Sequence, residues 1–207
     1  MAFDFKTFIT RTITAVFFSA ILLFCIVFNF VTFSVLFLTV SIWGLHEFYK
    51  LSEKLGSKPY KLVGYLAGFF AFTYSVISNS NLAVFISTEY LIACILVFVF
   101  FVFIIGLFDG SKTTILNVTF TLTGLIYTVI PFMVLVQIAC MDKSYTSTAQ
   151  NFRDIIAPYN SHYMLGIILL IWSSDVFAYL VGSLIGKNKL YERISPGKTW
   201  EGSIGAA

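Results

Sequence analysis

Long apolar runs without charge dominate this sequence, and the first of them occupies residues 12–45. A single helix over that run would be about 51 Å long at 1.5 Å per residue, whereas the hydrocarbon core of a bilayer is about 30 Å thick. The pattern therefore predicts two shorter membrane spans, Thr12–Phe28 and Phe30–Leu45, that turn at Asn29. No small-residue cleavage site precedes the second run, so the first span is interpreted as uncleaved.

Four further apolar runs have the length of membrane spans, and their apolar residues are continuous rather than alternating. Helices satisfy their backbone hydrogen bonds within the segment, as lipid requires, so helices are predicted instead of strands. Pro131 predicts a kink in the fifth span. We expect an all-α, polytopic transmembrane helix bundle of about six spans plus the start of a further helix, as a single domain over residues 1–207. The four runs are Leu62–Ile77, Tyr90–Phe108, Ile115–Ala139 and Tyr163–Ile185.

The amino-acid composition also indicates a membrane protein. Apolar residues make up 58% of the chain and charged residues 11%, against roughly 45–50% and about 25% in soluble domains. Such a sequence cannot cover its apolar surface with charge, which indicates an integral membrane protein. The three cysteines, Cys25, Cys94 and Cys140, are far apart in the sequence and without a nearby histidine pair, so neither a disulfide framework nor a zinc site is expected.

The distribution of charge predicts an orientation. The net charge is only +3, too small to indicate a nucleic-acid partner. With the N-terminus inside, every Lys and Arg except Lys143 and Arg153 falls in an inner segment. By the positive-inside rule, the N-terminus and the C-terminal motif described below face the cytoplasm, across a bacterial inner membrane.

Asp175 is the first candidate for chemistry, because a carboxylate inside a span costs several kcal/mol and marks a function by default. The alternative is a structural hydrogen bond with a neighbouring helix, using Ser173 or Ser174. Ala178, Gly182 and Gly186 follow on the same stripe at intervals of four residues. Small residues at this spacing let another helix approach closely, so Asp175 is expected to face protein rather than lipid.

A basic segment with the sequence KNKLYERISPGKTWEG follows that span. Its Gly197-Lys198-Thr199 resembles the end of a P-loop, but Glu192 stands where the loop needs Gly and no strand precedes it. Ser195 followed by Pro196 predicts an N-cap and the first residue of a new helix. A helix N-terminus among the cations of this segment would bind phosphate, although these cations also suit ordinary membrane-surface anchors.

Two other features have ordinary interpretations. His46 and Glu47 follow the second span and are interpreted as an interfacial anchor rather than a catalytic dyad. Asn117 begins a glycosylation sequon, but it lies within a span, so the sequon is discarded.

The segment from Trp172 to Ala207 resembles the central part of the phosphatidate cytidylyltransferases, the CDP-diacylglycerol synthases. In that family an Asp-x-x-Ala-Tyr-x-x-Gly helix leads through Gly-Lys to Ile-Ser-Pro-x-Lys-Thr-x-Glu-Gly. The upstream spans agree with the family in general character only. The matching residues here are Asp175, Ala178, Tyr179, Gly182, Gly186, Lys187, Ile194, Ser195, Pro196, Lys198, Thr199, Glu201 and Gly202.

The resemblance implies that the phosphate of phosphatidic acid attacks the α-phosphorus of CTP, giving CDP-diacylglycerol and pyrophosphate. It implies Mg²⁺ and a cytoplasmic-side site between helices, with CTP, phosphatidic acid and the bilayer as partners; a homodimer is compatible with it. Asp175 and Lys198 are the expected catalytic residues, with Asp175 also the metal ligand. Glu201 is expected to hold Lys198 or a metal. The expected substrate-binding residues are Lys187, Arg193, Ser195, Pro196, Thr199, Glu201 and Tyr179.

The sequence departs from the family in one respect. Family members continue through further spans to a second signature that carries their main metal-binding aspartates, and these 207 residues do not contain it. We therefore expect a chain truncated at its C-terminus and inactive by itself. Two alternatives stay open: a CTP-dependent membrane lipid-alcohol kinase, and a small transporter or channel subunit that uses Asp175. A transporter would be expected to show an inverted repeat, and none is evident.

Overall fold

The computed structural model describes residues 5–81, 88–141, 159–193 and 195–207. The chain divides into two compact units, Met1–Ser161 and His162–Ala207. Lys143, Arg153 and Ile194, which entered the sequence analysis, lie outside the described residues. So does most of the predicted external segment between the last two spans.

Six helices in the described residues are long and apolar enough to cross a membrane, which confirms the predicted number of spans. The all-α polytopic class is likewise confirmed. The second helix continues past its predicted end at Leu45, because its last turns bury Tyr49 and Ser52. The helices of the first unit are α1 (Phe5–Phe28), α2 (Phe30–Lys54), α3 (Lys61–Ser78), α4 (Thr88–Phe108), α5 (Thr114–Gly124) and α6 (Ile130–Ala139).

The turn predicted between the first two spans is confirmed at Asn29. This residue is extended, with φ −167° and ψ 173°, and its side-chain oxygen accepts a hydrogen bond from the Thr32 N–H at 2.8 Å. Asn is a favoured N-cap because its side chain satisfies an N–H that the first helical turn leaves unpaired. One polar residue therefore separates two apolar helices within an uninterrupted uncharged run.

The core of the first unit is centred on α2. Phe33, Leu45 and Tyr49 on this helix are fully buried, and the Tyr49 hydroxyl donates to the Thr121 carbonyl of α5 at 3.0 Å. Gly124 makes this packing possible, since a Cβ there would lie 2.6 Å from Tyr49 Cε1. The outer faces expose large apolar side chains, as expected for helices surrounded by lipid.

The fifth span is interrupted before Pro131. Residues Leu125–Val129 form a π-helical segment, and Pro131 lies in the first turn of α6. Proline lacks the N–H that would continue the α-helical ladder, so a change of hydrogen-bond register in the preceding turn is the local accommodation. The irregularity that the sequence predicted as a kink at Pro131 is thus a π-helical turn beside it.

The second unit contains α7 (Ser161–Ile185), β1 (Lys189–Tyr191), β2 (Ser195–Thr199) and α8 (Trp200–Ala206). The two strands form an antiparallel hairpin in which Lys189 pairs with Thr199 and Tyr191 with Ser195. This hairpin is an addition that the sequence analysis did not anticipate.

The predicted helix start at Ser195 is wrong. Ser195 and Pro196 belong to β2, and α8 begins at Trp200 with Thr199 as its N-cap. A residue before proline is disfavoured in the α region and favoured in extended conformations, and a two-stranded hairpin tolerates the missing N–H of proline. The extended Thr199, with φ −125° and ψ 155°, ends the strand and caps the helix.

Candidate functional site

Some of the predicted site residues line one groove of about 530 Å³ in the second unit. The groove lies between α7, β2 and α8. Asp175 and Tyr179 line it from α7, and Lys198 and Thr199 line it from β2. Four of the predicted residues therefore share one cavity, although they are separated by about twenty positions in the sequence.

Glycines on α7 and α8 set the width of the groove. A Cβ on Gly202 would lie 2.9 Å from the Ala178 carbonyl oxygen and 3.2 Å from Gly182 Cα, which is too close for any other residue without movement. The stripe of small residues therefore packs against another helix, as the sequence predicted. At the far end, the Ser174 hydroxyl donates to the Ala206 carbonyl at 3.0 Å, so this serine bridges the helices instead of holding Asp175.

Asp175 and Lys198 present the charges of the groove. Both side chains are exposed, and in the described part of the chain neither takes part in an ion pair. Asp175 lines the groove, as expected for a residue directed at protein, and its side chain is exposed within it. A carboxylate and an ammonium that form no ion pair within the described residues are available to a ligand.

Thr199 has a structural role that the sequence did not reveal. It is buried, and its hydroxyl oxygen accepts a hydrogen bond from the Gly202 N–H at 3.1 Å. The same hydroxyl would lie 2.7 Å from a Cβ on Gly186. Thr199 therefore joins the hairpin, α8 and the end of α7, whereas its substrate-binding role stays a prediction.

Glu201 does not pair with Lys198. Its carboxylate accepts hydrogen bonds from the Asn188 side chain at 2.8 Å and from the Asn188 N–H at 3.2 Å. Hydrogen bonding by its own backbone N–H, and then by Asn188, lowers the pKa of the Glu201 carboxyl. The Trp200 N–H also donates to the Asn188 carbonyl at 2.9 Å, so the hairpin register directs Glu201 to the end of α7.

The other predicted residues do not line the groove. Lys187, Arg193 and Pro196 are exposed, and Ser195 is half-buried in β2. The Pro196 carbonyl accepts a hydrogen bond from the Lys189 ammonium at 2.7 Å, which stabilises the hairpin. Their assignments as substrate-binding residues stay predictions.

The groove fits Mg²⁺ only in a limited sense. Asp175 is the one carboxylate that lines it, and in the part of the chain that the structure describes no three His, Cys, Asp or Glu side chains cluster as metal ligands. Mg²⁺ is commonly held by one or two carboxylates and completes its shell with water and substrate phosphates. Asp175 is compatible with that kind of partial coordination.

A polar cluster in the first unit was missed by the sequence analysis. Asp109 Oδ2 accepts hydrogen bonds from the Tyr60 hydroxyl at 2.8 Å, the Ser111 hydroxyl at 2.9 Å and the Asn117 amide at 3.0 Å. These bonds, that from Tyr60 first, lower the pKa of Asp109 to about 2. Burial, and next the bond to Asp109, raises the pKa of Tyr60 to about 12. The sequence signal that could have revealed this cluster is Asn117, a polar amide within an otherwise apolar span.

His46 and Glu47 bind different partners. His46 Nδ1 lies 2.9 Å from the Tyr65 hydroxyl, while the Glu47 carboxylate lies 3.7 Å from the Lys50 ammonium. The two side chains are therefore not arranged as a dyad. Their interpretation as an interfacial anchor stays a prediction.

Comparison with known proteins adds independent information. The family model described as "Cytidylyltransferase family" matches residues 9–207. A phosphatidate cytidylyltransferase of Staphylococcus aureus (strain COL) is 52% identical over 44 residues, which are 21% of this chain and 17% of the relative. One from Haemophilus influenzae is 45% identical over 49 residues (23% of this chain, 17% of the relative), and one from Pseudomonas aeruginosa is 42% identical over 48 residues (23% and 18%). The chain thus aligns with less than a fifth of the length of each relative. No solved structure matches the chain.

Proposed function

This chain belongs to the cytidylyltransferase family, and we propose that it is part of a membrane enzyme that transfers the cytidylyl group of CTP to phosphatidic acid. In this reaction a phosphate oxygen of the lipid forms a bond to the α-phosphorus of CTP. The bond from that phosphorus to the β-phosphate oxygen breaks, so pyrophosphate leaves and CDP-diacylglycerol remains. The relatives that match the chain are phosphatidate cytidylyltransferases by name.

The observation that carries the proposal is the groove that joins Asp175 and Lys198. Asp175 lies on an apolar membrane-spanning helix, about 15 Å from its end at helical rise, whereas Lys198 lies on the polar hairpin that follows. A groove with one wall in the span and one in the hairpin suits a reaction between a lipid phosphate and a water-soluble nucleotide. The substrates would meet where these walls converge.

Catalysis of phosphoryl-type transfer depends mainly on positioning and on neutralising charge. In our proposal, Lys198 binds a phosphate, because it lines the groove and takes part in no ion pair in the described residues. Tyr179 lies on the α7 wall and orients the substrate. Lys187 and Arg193 are exposed, and they attract the nucleotide electrostatically.

The structural residues of the hairpin maintain this arrangement. Thr199 caps α8, and Glu201 bonds to Asn188, so β2 is fixed at the base of the groove. Ser195 and Pro196 form the outer part of the same strand. In our proposal these four residues act by holding Lys198 in position.

Asp175 would hold Mg²⁺ through its carboxylate, together with water and substrate phosphate. The bound ion would neutralise phosphate charge and polarise the phosphoryl group. We also propose that the N-terminus and the groove face the cytoplasm of a bacterial cell, across its inner membrane, since nearly all cations then lie on the inner side.

The experiment uses the full-length protein in membranes, with labelled CTP and phosphatidic acid. We expect labelled CDP-diacylglycerol, and we expect Asp175→Asn to reduce the rate by about 10²-fold or more, the usual effect of removing a group that stabilises the transition state. Glu192→Gln is the matched control, because Glu192 is exposed and does not line the groove. Absence of product from the wild-type protein would refute the function. A wild-type rate in Asp175→Asn would remove this residue from the mechanism.

A further inference from the structure

A second groove, of about 640 Å³, lies in the first unit where α4 ends. The last two turns of α4 supply an apolar wall, and residues of the adjoining loops and of α5 supply a polar mouth. Such a groove is amphipathic along its length. The wall consists of Phe101, Ile104, Ile105 and Phe108, and the mouth of Lys58, Tyr60, Asp109, Ser111 and Asn117.

Hydrogen bonds from buried groups hold the mouth in place. Asn117 is 2% exposed; its side-chain oxygen accepts from the Lys58 N–H at 2.6 Å, and its NH₂ donates to Asp109 at 3.0 Å. The Tyr60 N–H donates to the Thr121 hydroxyl at 2.9 Å. The backbone that carries Lys58 is therefore fastened to α5, and its side chain starts from a defined position at the groove.

The carboxylate of the groove is already engaged by protein donors. Asp109 accepts four hydrogen bonds: the three to Oδ2 described above and one from the Ser111 N–H to Oδ1 at 3.1 Å. Each carboxylate oxygen offers about two lone-pair sites, so Oδ2 is fully occupied by its three donors, whereas Oδ1 keeps one site open. An ammonium group of a ligand would have to compete with these protein donors for the carboxylate.

The cation of the groove is available. Lys58 is exposed, and in the described residues its ammonium takes part in no ion pair. The neighbouring Glu53 is already paired with Lys61 at 2.8 Å. The groove therefore offers a free positive charge at its mouth and an apolar wall behind it.

We propose that this groove binds an anionic phospholipid, with the lipid phosphate at Lys58 and one acyl chain along the wall of α4. Charge complementarity selects the headgroup, because Lys58 has no ion-pair partner in the described residues, whereas Asp109 is already engaged by protein donors. The apolar wall selects a lipid over a free phosphate, since its four side chains contribute nothing to binding a small anion. The site goes beyond the proposed enzymatic function and does not depend on it.

The test measures contact between lipid and wall. In the full-length protein, every native Trp is replaced by Phe and Phe101→Trp is introduced as the fluorescent probe; the native positions in this chain are Trp43, Trp172 and Trp200. The protein is reconstituted in bilayers that contain brominated phosphatidylglycerol or brominated phosphatidylcholine. We expect phosphatidylglycerol to be preferred at the probe by about fivefold, the factor that one lysine contributes near an anionic lipid surface.

Variants of one residue identify the cation. Lys58→Gln should abolish the preference and Lys58→Arg should retain it. Lys54→Gln is the matched control, because Lys54 is also exposed and without an ion pair in the described residues, but it does not line the groove. Thermal unfolding of each variant verifies that it is folded. Lipids that remain bound to wild-type protein in native mass spectrometry provide a second measurement that does not use the Trp probe.

Four results would overturn the proposal. Equal quenching by both lipids would mean that the groove does not select anions. An unchanged preference in folded Lys58→Gln would remove the lysine from the site. A stronger preference for brominated phosphatidylethanolamine, included as a third lipid, would mean that Asp109 accepts a ligand ammonium. Displacement of the lipid by inorganic phosphate would show an anion site that does not require an acyl chain.

Discussion

The packing of α8 against α7 makes a quantitative prediction for Gly202→Ala. The new Cβ would lie 2.9 Å from the Ala178 carbonyl oxygen, 3.1 Å from Thr199 Oγ1 and 3.2 Å from Gly182 Cα. Two of these three neighbours are backbone atoms, which cannot rotate away as the end of a long side chain can. The helices themselves must separate.

The size of that separation follows from the contact distances. Carbon atoms pack best at about 3.5–4.0 Å, so Gly182 Cα would have to recede by about 0.3–0.8 Å. Overpacking of this kind costs about 1–3 kcal/mol. A displacement of about 1 Å in a reacting group lowers rates by about 10²-fold. Since Asp175 and Lys198 lie on the two sides that separate, we expect about a tenfold loss of the proposed cytidylyltransferase activity in the full-length protein.

Gly197→Ala is the matched control. Gly197 lines the same groove, but a Cβ there meets no atom within 4 Å. Activity in membranes is measured for both variants at equal protein, together with hydrogen–deuterium exchange of residues 199–206. Gly202→Ala should exchange faster in this segment, and Gly197→Ala should match the wild type in both measurements.

Two outcomes would refute the reasoning on Gly202. Unchanged exchange and unchanged activity in Gly202→Ala would show that α7 and α8 do not pack as closely as described. Unchanged exchange with lost activity would mean that the methyl group obstructs the substrate directly. In that case the separation of the helices would not be the cause.

Three further predictions concern side chains that form hydrogen bonds. Thr199→Val should destabilise the protein by about 0.5–2 kcal/mol and accelerate exchange at Gly202, because it removes the N-cap of α8, whereas Thr199→Ser should retain the cap. Tyr49→Phe should lower the free energy of unfolding by about 0.5–1.5 kcal/mol, since the bond to the Thr121 carbonyl is lost. Asp109→Asn should lower thermal stability at neutral pH, because the amide cannot accept all four hydrogen bonds.

The pH dependence of Asp109 has a definite sign. Its pKa in the folded protein, about 2, is below the ordinary value near 4, so the ionised carboxylate stabilises the fold above pH 4. That contribution is lost as the pH falls from about 4 to 2. The melting temperature of the wild type should therefore converge with that of Asp109→Asn over this interval. A constant difference between the two down to pH 2 would contradict the prediction.

Controls for the other two substitutions follow from the structure. If Gly202 exchanged as fast in Thr199→Ser as in Thr199→Val, the hydroxyl of residue 199 would not be the cap of α8. For Tyr49→Phe, Tyr127→Phe provides the comparison, because Tyr127 is exposed and should tolerate loss of its hydroxyl. Equal destabilisation by both would refute the specific role of the bond between Tyr49 and Thr121.

The sequence alone determined the membrane spans and the family. Each span is recognisable because lipid requires a continuous apolar helix, and that requirement acts within one segment. The turn at Asn29 is equally local, since an N-cap depends on residues three positions apart. The order and spacing of residues from Asp175 to Gly202 were sufficient for the resemblance, and the family match over residues 9–207 agrees with it.

The tertiary structure decided where these residues lie in relation to one another. Ser195-Pro196 is compatible with a helix start and with an edge strand, and pairing with β1 selects the strand. Glu201 bonds to Asn188 instead of Lys198 because the hairpin register brings Asn188 to the first turn of α8. The Asp109 cluster joins residues from three segments. Hydrogen bonds between segments distant in sequence depend on packing, which a local pattern of residue types does not encode.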